Sequence, residues 1–284
     1  MRTSPRAIPR TRHWQSPIAP PTGLVQDEQS PPAPADYPGA SPGALVYGVG
    51  DVHGMNDLLV SLLAAIEADA DARGLPATLV FLGDVVNRGT QTRQVLDRLM
   101  AGPTRRGDQW IVLRGNHEQM MLDALTVNSP GLFQRWLKMG GEQTVASYGC
   151  ARKRVTPDRV RDLIDPDHVS FLSELPLMHI AGNYLFVHAG VEPGVPLQGQ
   201  GADTLLTIRR RFLKKPHGLP FTVVHGHTPT DGRPLLGPGR IGVDTGAYFT
   251  GILTAVAVEP HAGDWRFISV PSSKGNARRR SVAC

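Results

Sequence analysis

Cysteine is almost absent: of 284 residues, only Cys150 and Cys284 carry a thiol. Two cysteines so far apart make neither a disulfide framework nor a thiolate metal site. A reducing cytoplasm is the default setting. Long apolar runs are also missing, and no stretch approaches the roughly 18–20 residues of a membrane span. The first 26 residues hold four Arg and no acid, but no apolar core of the kind a secretory signal needs. Pro5, Pro9, Pro17, Pro20 and Pro21 argue against the amphipathic helix of a targeting peptide. A charge excess across the body of the chain is lacking as well. Residues 1–40 hold four Arg against three acids and 271–284 hold four basic residues and no acid, so the formal +5 vanishes over 41–270. The basic pI is therefore no argument for nucleic acid.

What is present is ordered between two poor termini. Residues 1–43 are rich in Pro and Ser with few large apolar groups, and the composition predicts disorder there and in the basic stretch 272–284. That leaves 44–271 as one folded domain. Its first half alternates: apolar run Ala44–Gly50, helical spacing over Met55–Arg73 stopped by Gly74-Leu75-Pro76, run Thr78–Leu82, helical Thr90–Met100, run Trp110–Leu113. This β-α-β-α-β order implies right-handed crossovers and a parallel sheet with helices over it. Residues 118–175 read as helical, broken at Pro130 and Gly140-Gly141. Strand-like runs follow at 183–187, 221–224, 240–243, 251–258 and 265–270, with one helix over 202–214 among them.

The informative feature is what ends each apolar run. The endings are Gly50-Asp51-Val52-His53-Gly54, Gly83-Asp84 through Asn87-Arg88-Gly89, Arg114-Gly115-Asn116-His117-Glu118, Val187-His188-Ala189-Gly190 and His225-Gly226-His227-Thr228. Carboxyl ends of parallel strands share one edge, where ligand crevices form. Adjacent strands lie about 4.8 Å apart, so groups on neighbouring ends can share an ion. Carboxylate, imidazole and amide oxygen without thiol suit a hard or borderline divalent metal. Two such ions bridged by one carboxylate suit phosphate-ester hydrolysis. Taken singly, each ending is more often a polar loop or an N-cap. Five glycine-flanked endings together are not.

In that order, these blocks resemble the calcineurin-like metallophosphoesterases, nearest within them to bacterial serine/threonine phosphoprotein phosphatases, over about Ala44 to Glu259. The resemblance implies an α/β fold, a mixed-sheet α/β/β/α sandwich with a dinuclear metal site at the C-terminal edge of the strands. It implies that Asp51 and His53 bind the first metal, Asp84 bridges both, and Asn116, His188 and His227 bind the second. A hydroxide held between the metals would attack phosphorus in line, with His117 as general acid. Arg88 would grip phosphate oxygens by its planar fork. A second phosphate-binding arginine is implied near Leu205–Arg209; Arg209 is chosen, with Arg210 and Arg211 left open beside it. The cofactors implied are two divalent ions, Mn2+ foremost, with Fe, Zn or others as alternatives. The activity implied is phosphomonoester hydrolysis, as a serine/threonine protein phosphatase first and a symmetrical diadenosine tetraphosphate or other nucleotide hydrolase second. The partners expected are a phosphoprotein or small phosphoester, without nucleic acid or membrane, and the oligomeric state stays open.

Two departures from the family pattern matter. Asn87 stands where the commoner text has Asp, the partner that raises the catalytic histidine's pKa; an activity maximum at lower pH than in Asn87→Asp is expected. Pro229 stands where many relatives have a second histidine, leaving the first metal with Asp51, His53 and Asp84. His225 is expected to be structural or to support a ligand from behind. Glu118 after Asn-His and Thr90 after Arg-Gly favour the protein phosphatases over the symmetrical hydrolases. Trp136, Gly140-Gly141 and Ser147-Tyr148-Gly149 are expected to shape the pocket.

Overall fold

The structure is a computed structural model that describes residues 45–150, 155–258 and 265–272. The tail readings for 1–43 and 272–284 lie outside the described residues, apart from Ser272, and so does Cys284. Strand β1 (Leu45–Val49) is flanked by β2 (Ala77–Phe81) in parallel and β9 (Ile252–Val258) antiparallel; β3 (Gln109–Val112) extends the parallel side and β10 (Trp265–Pro271) the other. A second sheet has the order β4 (Met178–Ala181), β5 (Tyr184–Val187), β6 (Thr222–His225), β8 (Arg240–Gly242), β7 (Leu235–Gly237), with β5, β6 and β8 parallel. Strands β4 and β7 were not legible as strands; both are edge strands of three or four residues with mixed exposure.

Alternation along each strand sorts its side chains between two faces. Val46, Val80 and Val256 meet Phe186, Val224 and Ile241 between the sheets. Leu45, Tyr47, Val49, Leu79 and Phe81 face the helical side, where α1 (Asn56–Arg73) contributes Leu58, Leu59, Leu62, Leu63 and Ile66. The outer face of the second sheet buries Leu185, Val187 and Val223 against Leu205 and Phe212. The result is the expected α/β/β/α sandwich.

Helix α2 (Thr92–Ala101) returns the chain to β3, and α3 (Asn116–Thr126) leaves it at the glycine-flanked edge. The following helices α4 (Pro130–Trp136), α6 (Pro157–Leu163) and α7 (Pro166–Glu174) each start on a capping side chain followed by Pro: Ser129, Thr156 and Asp165 accept from backbone N–H groups. Such a cap is worth roughly 1 kcal/mol, and Pro loses nothing at the first helical position. Between α4 and α5 (Glu142–Ser147) a π turn, Leu137–Gly141, carries Gly140 at φ 106°. The single helix read over 202–214 is corrected: α8 (Ala202–Thr207) and α9 (Arg210–Lys214) are separate, broken at Ile208-Arg209, where Arg209 takes φ −135° and ψ −95°. Helical spacing continues across the break because both pieces bury apolar groups against the same sheet face, Leu205 on one and Phe212 on the other.

Candidate metal centre

Strand ends from both sheets converge at one edge. The strongest local signal is backbone conformation: His53, Asp84, Asn87, Arg88 and His227 are the non-glycine residues with positive φ among those described, at 46° to 69°. Every one is a residue singled out from the sequence. Non-glycine residues pay of order 1–3 kcal/mol for such strained conformations, so tertiary contacts must hold them.

Those contacts are explicit. The Glu118 carboxylate accepts four backbone N–H groups: Asp84 at 2.7 Å, Gly115 at 2.7 Å, Val85 at 2.9 Å and Val86 at 3.1 Å. The β1 and β2 loops are laced by His53 N–H to Asp84 O at 2.8 Å and Gly54 N–H to Val85 O at 2.9 Å. Arg88 N–H donates to Gly140 O at 3.1 Å. A Cβ at Gly140 would come within 2.6 Å of Arg88 N, so glycine is required there for both its φ and this approach.

Asp84 is shared by two groups of converging donor atoms: His53, Asp84 and His117 form one, Asp84, His188 and His227 the other. His53 donates from Nδ1 to Val86 O at 3.0 Å, turning its Nε2 lone pair toward Asp84 Oδ2 at 3.7 Å. His188 donates from Nδ1 to Leu82 O at 2.8 Å, and its Nε2 faces Asn116 Oδ1 at 3.0 Å and Asp84 Oδ1 at 3.4 Å. Carbonyl-anchored imidazoles with the other nitrogen turned inward are the arrangement metal ligands take. Burial pushes the pKa of His53 and of His227 down to about 3, so both lone pairs are free of protons. Lone pairs facing one another in a dry site are stabilised by a cation between them, and the residues fit divalent ions.

Asp51 is buried beside these groups. Both of its carboxylate oxygens accept from His227 N–H at 3.2 Å. Burial, then the neighbouring Asp244 and Asp84 carboxylates, raise its pKa well above the usual range. Asp244 was missed from the sequence, although Val243-Asp244-Thr245-Gly246 ends an apolar run on Asp and Gly as the other blocks do. His225 is not among the converging donors; it is fully buried edge-on to Phe212. Of the three adjacent arginines, Arg209 reaches the edge, donating from Nε to His227 Nε2 at 3.0 Å, whereas Arg211 pairs with Glu192.

His117 is held by a fully assigned amide. Asn87 Oδ1 accepts from Trp136 Nε1 and Thr144 Oγ1, both at 2.9 Å, so its amide nitrogen faces His117 Nδ1 at 2.9 Å. His117 Nδ1 must therefore accept, which leaves its proton on Nε2, toward Asp84. Burial lowers the His117 pKa; the Asp84 carboxylate opposes this, and Arg88, His188 and Arg209 add to the lowering. Trp136 and Gly140 thus do reach the site. Ser147-Tyr148-Gly149 does not: the Tyr148 hydroxyl bonds His168, tying α5 to α7.

Two facing sheets bring carboxylate, imidazole and amide donors to a shared strand edge, an arrangement that suits divalent metal ions and phosphoester chemistry. Residues 44–250 match the calcineurin-like phosphoesterase family, and the chain belongs to it. Hydrolysis at a dinuclear divalent-metal site is the chemistry of that family, and the converging donors supply its candidate ligands. Among curated relatives, the symmetrical bis(5'-nucleosyl)-tetraphosphatase of Bordetella pertussis is 32% identical over 152 residues, 51% of this chain and 43% of that protein. The chain thus spans less than half the length of that relative. A crystal structure described as a putative diadenosine tetraphosphatase is 26% identical, with TM-score 0.55, over 81% of this chain and 95% of that one. A protein serine/threonine phosphatase from Saccharomyces cerevisiae shares the fold at 16% identity, with TM-score 0.51, over 82% of this chain and 81% of that one.

Proposed function

We propose that the chain hydrolyses phosphoanhydride bonds of nucleoside polyphosphates, the second of the two activities read from the sequence. The observation that carries this is the Asn87–His117 pair. An acid that protonates a serine alkoxide needs an imidazolium, hence a second proton on Nδ1. Asn87 turns an N–H donor at that nitrogen, so no carboxylate faces Nδ1; Asp84 lies on the other side of the ring, 3.9 Å from Nε2. Neutral His117 still presents its Nε2 proton, enough to hydrogen-bond a leaving phosphate, a far weaker base than an alkoxide. The motif preference for phosphoproteins loses its force because Glu118 is fully buried, its oxygens taken by backbone N–H groups. The names of the B. pertussis relative and the 26% identical structure point the same way.

In this reading Asp51, His53, Asp84, Asn116, His188 and His227 hold two divalent ions, with Mn2+ the first choice for oxygen and imidazole donors. Bound, such ions supply an activated water and neutralise charge on phosphoryl oxygens. Arg88 and Arg209 orient the phosphate. The Arg88 Nε is buried without a hydrogen-bond partner. A serine/threonine phosphoprotein phosphatase is the second reading, favoured by Pro229 in place of a further histidine ligand.

The test is turnover by purified protein with Mn2+ of diadenosine tetraphosphate and of a phosphoserine peptide. The dinucleotide is expected to have the higher kcat/KM; a dominant phosphoserine activity overturns the proposal.

A further inference from the structure

Tyr248 and Phe249, on the short α10 (Ala247–Thr250), are large aromatic side chains left in solvent at the metal edge, 37% and 50% exposed. Their attachment to the site is continuous. The Tyr248 hydroxyl accepts from Arg88 Nη1 at 3.1 Å, and the Arg88 guanidinium lies 4.7 Å from the centre of the ring. The Tyr248 ring stands edge-on to His53 with centroids 5.3 Å apart, and Phe249 stands edge-on to Tyr248 at 5.0 Å. Two ring contacts therefore lead from a candidate metal ligand outward to a half-exposed phenyl face.

That face is fixed before anything binds. Gly246 has φ 73°, and a Cβ there would lie 2.3 Å from the Cε1 and Cζ atoms of Phe249. The ring thus rests directly on Gly246, as only glycine permits. Phe249 N–H and Thr250 N–H both donate to Gly246 O, at 3.0 and 2.8 Å, and Thr250 Oγ1 donates to Thr245 O at 2.8 Å. A rigid exposed ring loses little conformational freedom on stacking.

We propose that Phe249, backed by Tyr248, is the stacking platform for the nucleobase of a nucleoside polyphosphate whose phosphate is held at Arg88. This rests on the anhydride reading above and names the part of the substrate that reading leaves open. The patch begins at a phosphate-binding arginine and ends in a flat π face. A nucleotide offers that combination of anion and aromatic ring in one molecule, and a phosphoserine side chain carries no ring. Stacking of a base on an aromatic side chain is worth roughly 1–3 kcal/mol, or about 5- to 150-fold in affinity.

The test uses full-length protein with Mn2+ and two kinds of readout. In Phe249→Trp, ADP is expected to quench the new indole fluorescence saturably, while pyrophosphate binds without quenching. In Phe249→Ala, the KM for diadenosine tetraphosphate is expected to rise about 5- to 150-fold, with kcat and the KM for inorganic tripolyphosphate little changed. Phe249→Leu, which keeps apolar bulk without the π face, is expected to behave like the Ala variant. Equal effects on the two substrates, or no quenching by ADP, overturn the platform. Should the wild type prefer a phosphoserine peptide, the anhydride reading fails, yet the ADP titration still decides the platform by itself. A Phe249 dependence seen only with peptides carrying aromatic residues beside the phosphoserine also overturns it.

Discussion

The two sheets meet at one edge but hold their chemistry differently. On the first sheet, every loop that carries a candidate ligand is pinned. Glu118 takes four backbone N–H groups, Asn87 is bonded through both amide atoms, and the His53 backbone and ring both bond the β2 loop. On the second sheet, His188 is anchored to Leu82 O, but His227 leans on Arg209, an exposed side chain. Near it, His225 Nε2 and Thr228 Oγ1 are buried without a hydrogen-bond partner. Neutral His227 has one lone pair, so a metal there must displace the Arg209 Nε–H bond. The ligand-bearing loops of the first sheet are each held by several bonds, whereas His227 is held by its backbone bond to Asp51 and by Arg209.

The largest effect that tests this contrast falls on the residue both halves share. Asp84→Asn should lower kcat by at least about 10³-fold and reduce bound Mn2+ from two per chain, read by elemental analysis; full activity with two ions would exclude Asp84 as a bridge. Next comes stability without metal. Glu118→Ala strands four backbone N–H groups and should cost about 3 kcal/mol or more by urea denaturation. Thr228→Val on the other half removes only an unpartnered hydroxyl and should change stability by less than about 0.5 kcal/mol. Equal losses would end the distinction between a pinned and an unpinned half. The smallest expected effect is on pH. Asn87→Asp supplies a carboxylate that accepts from Nδ1–H, so the His117 pKa rises. The acid form then persists to higher pH, moving the descending limb of the phosphoserine pH–rate profile upward and improving that activity relative to anhydride cleavage. An unmoved limb would sever His117 from proton donation.

Much of the fold was readable because the first half repeats one pattern. Apolar runs of strand length alternate with helical spacing and end on Gly-Asp or Gly-Asn, and β1, α1, β2, α2 and β3 lie within a few residues of those readings. The short edge strands β4 and β7 carry too little periodicity to be seen. The break at Ile208-Arg209 is invisible to helical spacing, because the apolar faces on either side of it point to the same core.

The sequence by itself determined which chemical groups are available: carboxylates, imidazoles and one amide at glycine-flanked strand ends, with thiols excluded and net charge in the body near zero. Residue type and local spacing are enough for that. Only the tertiary structure decided what each group can do. It spent Glu118 on the backbone, fixed the Asn87 amide through Trp136 and Thr144, turned Arg209 rather than Arg211 to the edge, and added Asp244 and Tyr248. The reason is that tautomer, lone-pair direction and burial are set by contacts between residues about 20 to 180 positions apart, which no local pattern records.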